Sequence, residues 1–271
     1  MNGQLIKNET IVVDKQDRIL IITLNRPEKS NAINNRMHED FQGFFAYINN
    51  LIESNSLGSI IIKSNGKNFC AGQDLSERKT NIEKNNLNLE QSIQKNYIPL
   101  INFIRNAKVP IISCVQGVAA GAGLSLALCT DLIVLSKDAT LDFAFTRVGL
   151  CPDTAMSWHL PKLVGPSVAL GLTLTAEKLN AIDAKKIGIA WKVLDPAELE
   201  TKTIEIAHKI ASGPNIANYL TKKLIWENFE NSLKKQLQLE KSAIGICGKS
   251  ADYRNAILSF ANKKAPVFYG K

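Results

Sequence analysis

Apolar positions in the first half of the chain alternate between a strand period and a helix period. Residues 11–13 and 19–24 are β-like runs around a polar turn at 14–18, which predicts a β-hairpin closed by Asn25-Arg26-Pro27-Glu28. Phe41, Phe44, Phe45, Ile48, Leu51 and Ile52 recur at helical spacing and predict an amphipathic helix over about residues 36–53. Further β-like runs follow at 60–64, 110–115 and 131–136. Residues 77–97 are rich in Lys, Asn and Glu without a strong period, and read as an exposed, mobile segment running into a helix toward Arg105. Strands alternating with helices from 58 to 145 predict an α/β core with helices on the sheet faces. Beyond Gly165 the signals are nearly all helical, at 199–211, 217–229, 233–246 and 251–262, punctuated by Ser212-Gly213 and Pro214. The chain therefore divides into a core, residues 1–200, and a helical region, residues 201–271, suited to subunit contact.

Two of the predicted strands end in small-residue turns. The first is Phe69-Cys70-Ala71-Gly72-Gln73-Asp74-Leu75, and the second is Gly117-Val118-Ala119-Ala120-Gly121-Ala122-Gly123. Side by side, two such turns can aim two backbone N–H groups at one point, which is what holds the charge developing on a thioester oxygen. The plainer alternative is a pair of ordinary strand-to-helix turns.

Composition narrows the class. The chain has 271 residues, 45% hydrophobic and 21% charged, as in a soluble globular protein. The five cysteines show no CxxC pair and lie mostly in apolar surroundings, so they read as buried free thiols of a reducing compartment. The start, Met1-Asn2-Gly3-Gln4, lacks the basic-then-apolar order of a signal peptide, and a cytoplasmic location is expected. Residues 109–129 carry no charge, but Pro110, Gln116 and three glycines interrupt them, so a buried strand, turn and helix is expected rather than a membrane span. The net charge of +8 is scattered, which argues against a nucleic-acid groove and suits a small polyphosphate ligand.

His38, His159 and His208 are far apart and no Cys pair joins them, so no metal site is expected. There is no GxSxG elbow, and Leu126 stands at the third glycine position of a dinucleotide fingerprint. Asp153 stands out in Gly149-Leu150-Cys151-Pro152-Asp153-Thr154-Ala155-Met156, with Phe143 and Phe145 just upstream. Apolar walls desolvate a carboxylate and raise its proton affinity toward that of a general base. Pro-Asp before a helical pattern is also an ordinary N-cap, and the pattern alone favours the cap. Asp74 and Asp131 likewise read as caps or turn residues.

Asn25-Arg26-Pro27-Glu28-Lys29-Ser30-Asn31-Ala32, the two turns, and Asp131 after the second together resemble the crotonase (enoyl-CoA hydratase/isomerase) superfamily over nearly the whole chain. Gly248-Lys249-Ser250-Ala251-Asp252-Tyr253-Arg254 and residues 260–271 resemble the branch containing the ring-1,2-epoxyphenylacetyl-CoA isomerases of phenylacetate degradation and related enoyl-CoA isomerases. The resemblance implies an α/β crotonase-like ββα spiral core with a C-terminal helical trimerisation region, assembled as a trimer or a hexamer (a dimer of trimers). It implies an acyl-CoA substrate and no separate cofactor, coenzyme A being part of the substrate.

Carried over residue by residue, the family's oxyanion hole falls on the N–H groups of Gln73 and Ala122. Ala71, Gly72, Asp74, Leu75 and Gly121 flank the thioester. Arg26, Lys29, Lys263 and Lys264 match the basic residues near the nucleotide. The two hydratase glutamates are replaced by Ser125 and Phe145, while the single acid of the isomerases falls on Asp153, which reverses the preference for a cap. Thr154-Ala155-Met156-Ser157 stands where the branch usually has a Gly-Gly pair, and Met156 is expected to narrow the acyl pocket against a bulky ring. The expected activity is an acyl-CoA isomerase, shifting a double bond or opening a ring epoxide. The alternatives are an enoyl-CoA hydratase of fatty-acid or phenylacetate degradation, a hydrolytic dehalogenase (for which no His lies between His38 and His159), and a non-catalytic CoA-binding subunit.

Overall fold

The computed structural model describes residues 4–271; Met1, Asn2 and Gly3, on which the reading of the chain's start partly rests, lie outside them. The chain opens with three antiparallel strands, β1 (Gln4–Lys7), β2 (Ile11–Gln16) and β3 (Ile19–Leu24). The predicted hairpin is present, with strand β2 running beyond residue 13 so that only Asp17 and Arg18 remain in the turn, Asp17 at a left-handed φ of 49°. Helix α1 (Asn35–Glu53) begins where the Asn34 side chain accepts from the Met37 N–H at 2.9 Å. It buries Met37, Phe41, Phe44 and Ile48, a stripe at i, i+4, i+7 and i+11.

Strand β4 (Ser59–Ser64) pairs parallel with β3. The stretch read as irregular from 77 to 97 is instead helical. It comprises α2 (Leu75–Glu83), α3 (Leu89–Ser92) and a π-helical turn, Ile93–Tyr97, leading into α4 (Ile98–Asn106). Its polar surface hid the pattern: α2 buries no side chain, and the Asp74 and Asn88 caps start α2 and α3 in place of an apolar stripe.

The uncharged stretch becomes β5 (Ile111–Val115), β6 (Val118–Ala120) and α5 (Ala122–Leu128), every residue of α5 being buried. Among the described residues, no helix is long and apolar enough to cross a membrane. There follow β7 (Leu132–Ser136), β8 (Thr140–Asp142), α6 (Met156–Val164), α7 (Pro166–Leu174), β9 (Lys178–Asn180), α8 (Ala181–Lys186) and β10 (Lys192–Leu194). One sheet runs in the order β1-β2-β3-β4-β5-β7-β10, parallel from β3 onward, and a second small sheet runs β6-β8-β9. Burial on both faces explains why β3 and β5 read as continuous apolar runs. Leu20, Ile22, Leu24, Ile60 and Ile62 point into the main core, while Ile19, Ile21, Ile61, Ile112, Cys114 and Val134 point to the opposite face.

That opposite face is covered by α9 (Leu199–Ala211) through Leu199, Ala207 and Ala211. A division between residues 200 and 201 therefore falls inside a helix that belongs to the sheet. Helix α10 (Asn215–Glu227) is anchored by the buried Lys222, whose Nζ lies 2.9 Å from Asp131 Oδ2 and donates to the carbonyls of Ile104 and Val109 at 3.2 and 3.3 Å. Asp131 is thus no simple cap. It also accepts from the Ile111 N–H (2.8 Å), Trp226 Nε1 (3.1 Å) and Arg105 (3.4 Å), tying sheet, α4 and α10 together. Helices α11 (Leu233–Lys249) and α12 (Ala251–Ala261) leave Leu233, Leu237, Ile244, Ile246, Ile257 and Phe260 exposed, Phe260 by 86%.

All five cysteines are free. Burial pushes the thiols of Cys70, Cys114 and Cys129 up to about 12, 11 and 12. Cys151 departs from the expectation and is exposed, because the left-handed Gly149 turns residues 150 and 151 outward; Cys247 is partly exposed on α11.

His38 on α1 and His159 on α6 are buried, and neither ring nitrogen of either has a hydrogen-bond partner in the chain. Burial, reinforced by Arg78, holds His38 at about 4; burial, reinforced by Arg105 and Lys162, holds His159 at about 3. Both folded values lie below the ordinary 6.5, so the unfolded chain binds more protons between them, and this stability is present above pH 6.5 and lost as pH falls toward 4 and 3. Urea unfolding should show a loss of about 2 kcal/mol per histidine between pH 7 and 5. His38→Leu and His159→Leu should each flatten that slope; a slope unchanged in both would place the rings in water.

Candidate active site

Strands β4 and β5 lie side by side and parallel, so the segments after them leave the same sheet end. Those segments are the two small-residue turns. Cys70 and Ala119 form an isolated parallel bridge: the Cys70 N–H donates to the Val118 carbonyl at 3.1 Å and the Ala120 N–H to the Cys70 carbonyl at 2.9 Å. Gly72 sits at φ +90°, and a Cβ there would stand 2.8 Å from the Ala120 carbonyl and 3.5 Å from the Ala122 nitrogen. At Gly123 a Cβ would meet the Cys70 carbonyl and Sγ at 2.5 Å. Only glycine lets the turns approach this closely.

The approach leaves two donors unspent. Ile33 donates to the Gly72 carbonyl (2.7 Å) and accepts from the Asp74 N–H (2.8 Å), so the intervening Gln73 N–H is turned away from that bridge. Ala122 is the first residue of α5, and its N–H has no acceptor within the helix. Neither N–H has an acceptor among the described residues. Two such donors can hold a developing oxyanion.

The Asn25–Ala32 motif explains itself as scaffolding. The buried Asn31 accepts from the Arg26 N–H and donates to the carbonyls of Asn65 and Asn68, each within 2.9 Å, and Ser30 accepts from the Ala71 N–H at 3.0 Å. Arg26 faces inward, pairing with Asp74 at 3.0 Å and donating to the Ala32 carbonyl at 2.5 Å. Asp74 is the α2 cap expected of it, accepting from the Ser76 N–H at 3.0 Å; burial opposes its charge, and Arg26 with the cap outweighs burial and holds its carboxyl below the usual range. Ala71 and Leu75 are exposed beside the turn, and Gly121 at φ +49° starts α5. Lys29 is exposed, and Lys263 and Lys264 are exposed after α12.

Asp153 is brought to α5 by Ser125, whose hydroxyl donates to the Gly121 carbonyl (3.2 Å) and the Asp153 carbonyl (3.4 Å). The Asp153 side chain does not cap α6. That helix starts at Met156 after two left-handed residues, Thr154 at φ 51° and Ala155 at φ 60°, and only the backbone carbonyl of Asp153 accepts from the Met156 N–H (2.9 Å). Among the described residues its carboxylate has one hydrogen-bond partner, the Thr154 hydroxyl at 2.8 Å. Burial raises its proton affinity above that of an ordinary aspartate, opposed by the Thr154 hydroxyl and by the positive charge of Arg78. The most deeply buried carboxylates are better compensated. Asp40, Asp74, Asp131 and Asp142 each have an Arg or Lys within 4.0 Å, and Asp252 accepts two backbone N–H groups. Phe145 is buried in the main core, its carbonyl accepting from Val148 and Leu150 to close the turn that precedes Asp153.

Three neighbours escape a reading of the sequence. Gln73 Oε1 accepts from the Tyr97 hydroxyl (2.8 Å) and Arg78 (3.1 Å), and Arg78 reaches on to Ser92 at 3.1 Å. Burial, then the charge of Asp153, raises the proton affinity of Tyr97, which stays a neutral donor. An aromatic residue within a Lys- and Asn-rich stretch was the only available signal for Tyr97, and nothing marked Arg78. Thr154 was visible as a departure from the Gly-Gly pair, but not as a hydrogen-bond donor.

The model of the enoyl-CoA hydratase/isomerase family matches residues 14–271. The 1,2-epoxyphenylacetyl-CoA isomerase of Escherichia coli K12 is 33% identical over 97% of this chain and 99% of its own length. The short-chain-enoyl-CoA hydratase of Clostridium acetobutylicum is 29% identical over 94% of this chain and 95% of its own. The crystal structure of an enoyl-CoA hydratase from Bacillus anthracis superposes with a TM-score of 0.88 at 29% identity, covering 97% of this chain and all of the other. Fold, twin turns and similarity along almost the whole length agree, and the chain belongs to the enoyl-CoA hydratase/isomerase family, the crotonase superfamily.

Proposed function

We propose that the chain is an acyl-CoA isomerase. The thioester oxygen is held between the N–H groups of Gln73 and Ala122, which stabilise the enolate formed on proton loss. Asp153 takes the proton from one acyl carbon and returns it to another, shifting a double bond or opening a ring epoxide. The observation that carries this reading is the state of Asp153, a partly buried carboxylate with no Arg or Lys within 4.0 Å among the described residues and with its proton affinity raised by burial. A structural aspartate in that position would be stabilised by an ion pair or a cap; a base is made stronger by having neither.

Hydration needs a second acid–base group to position water. Ser125 and Phe145 occupy the two expected glutamate positions, and the nearby Glu77 is engaged by the Gln73 amide (3.3 Å) and the Asn35 N–H (3.2 Å). Coenzyme A is proposed to meet the exposed Lys29, Lys263 and Lys264 with its phosphates, while Arg26, paired internally with Asp74, shapes the first turn. The exposed apolar faces of α11 and α12 are proposed to be covered in a trimer or a dimer of trimers.

Asp153→Asn keeps the side chain's shape and removes the base, so isomerisation of a 3-enoyl-CoA should fall by about 10²–10⁴ with thioester binding unchanged within a few-fold. The acid limb of kcat/KM should lie above the ordinary aspartate range and vanish in this variant. Activity within tenfold of the parent would remove Asp153 from the chemistry.

Mass spectrometry of products from 3-enoyl-CoA, 2-enoyl-CoA and ring-epoxide CoA substrates should show conserved mass with at least one of them. A gain of one water on crotonyl-CoA at about 10² s⁻¹ or faster, within the range of efficient enzymes, would establish the hydratase reading instead. Light scattering at micromolar concentration should give three or six times the 29.8 kDa of one chain, and a mass near one chain would refute the assembly.

A further inference from the structure

Thr154 is the residue whose conformation the fold tolerates least readily. It is β-branched, 6% exposed, and held at φ 51°, followed by Ala155 at φ 60°. Branched side chains are uncommon in the left-handed region, so the surrounding structure must impose it. The turn is fixed from several sides. The Thr154 carbonyl accepts from Cys129 Sγ at 3.7 Å, the Asp153 carbonyl accepts from Ser125, and Met156 closes the turn onto Asp153. What this backbone delivers is a hydroxyl at 2.8 Å from Asp153 Oδ1, while Asp153 Oδ2 has no hydrogen bond among the described residues.

Resting on the isomerase reading, we propose that Thr154 is a positioning residue for the base: its hydroxyl clamps Oδ1 of Asp153, leaves Oδ2 as the single proton-carrying oxygen, and sets the pH at which the base works. A hydroxyl donating to a carboxylate favours its charged form and fixes its rotamer. The other groups that act on Asp153 come from elsewhere in the fold. The Arg78 guanidinium on α2 also favours the carboxylate, the Tyr97 phenol faces it as a neutral group, and Ser125 on α5 holds its backbone only. Burial opposes the first two effects, so Thr154 and Arg78 together moderate a base that burial makes stronger.

Three variants separate the hydroxyl from the backbone. Thr154→Ser keeps the donor, Thr154→Ala removes it, and Thr154→Gly removes it while accepting the left-handed φ without strain, so that this variant folds even if Ala does not. The acid limb of kcat/KM should move up by about one pH unit in the Ala and Gly variants, the size of one hydrogen bond to a charged group, and stay in place in Ser. KM should change less than twofold in all three. The carboxyl carbon of Asp153, assigned by comparison with Asp153→Asn, should titrate with the same shifts in ¹³C NMR of the resting protein. That measurement needs no turnover, so it reads the clamp even if the chain proves to hydrate its substrate. An identical titration in parent, Ala and Gly would overturn the proposal, and so would a shift in Ser as large as that in Ala.

Discussion

The close approach of two backbone turns is the constraint around which the site is built. No side chain fits between Gly72 and the Ala120 carbonyl, or between Gly123 and Cys70. Adjacent parallel strands bring the turns to one end of the sheet, and the Cys70–Ala119 bridge registers them to within a hydrogen bond. Asn31 then ties the segment at 25–32 to residues 65 and 68, just ahead of the first turn, with three bonds from one side chain. Rigidity matters because backbone donors stabilise a transition state only when their orientation is fixed before the charge appears. The spacing of the Asn25–Ala32 motif, far from either turn in sequence, follows from this need for a common anchor.

The electrostatics of the site follow from what that scaffold withholds. This chain pairs its buried aspartates thoroughly: Asp74 has Arg26, and Asp131 has Lys222, Arg105 and the Trp226 N–H. Pairing of that kind offsets the cost of burying charge, and at Asp74 it holds the carboxyl below the usual range. Asp153 has a single neutral donor in place of a cation. A carboxylate so placed costs stability and gains basicity, the exchange expected of a residue kept for proton transfer.

The layered α/β core was legible because its strands are apolar and its long helices periodic. Residues 36–53 and 199–211 announce α1 and α9 by spacing alone. The twin turns were legible through glycine, since small residues are the only trace a backbone donor site leaves. The segment 77–97 was not, because its helices are held by the Asp74 and Asn88 caps and by charged surface pairs, none of which produces an apolar stripe. Asp131 misled for the opposite reason. A single Asp before a strand looks like turn chemistry, whereas its partners Arg105, Lys222 and Trp226 come from elements distant in sequence. The conformation of Thr154 was equally hidden, because propensity argues against a left-handed threonine and only tertiary contacts impose it.

Ser125 joins the start of α5 to the segment that carries Asp153. By resemblance its position belongs to a hydratase glutamate, whose carboxylate would reach toward water. The shorter side chain cannot extend so far, and its hydroxyl instead spans the carbonyls of Gly121 and Asp153. One residue thereby links the turn that starts α5, and with it the Ala122 N–H, to the backbone of Asp153. On the proposed reading this is the geometry that isomerisation requires, since the proton leaves and re-enters the substrate on one carboxylate while the thioester oxygen stays fixed.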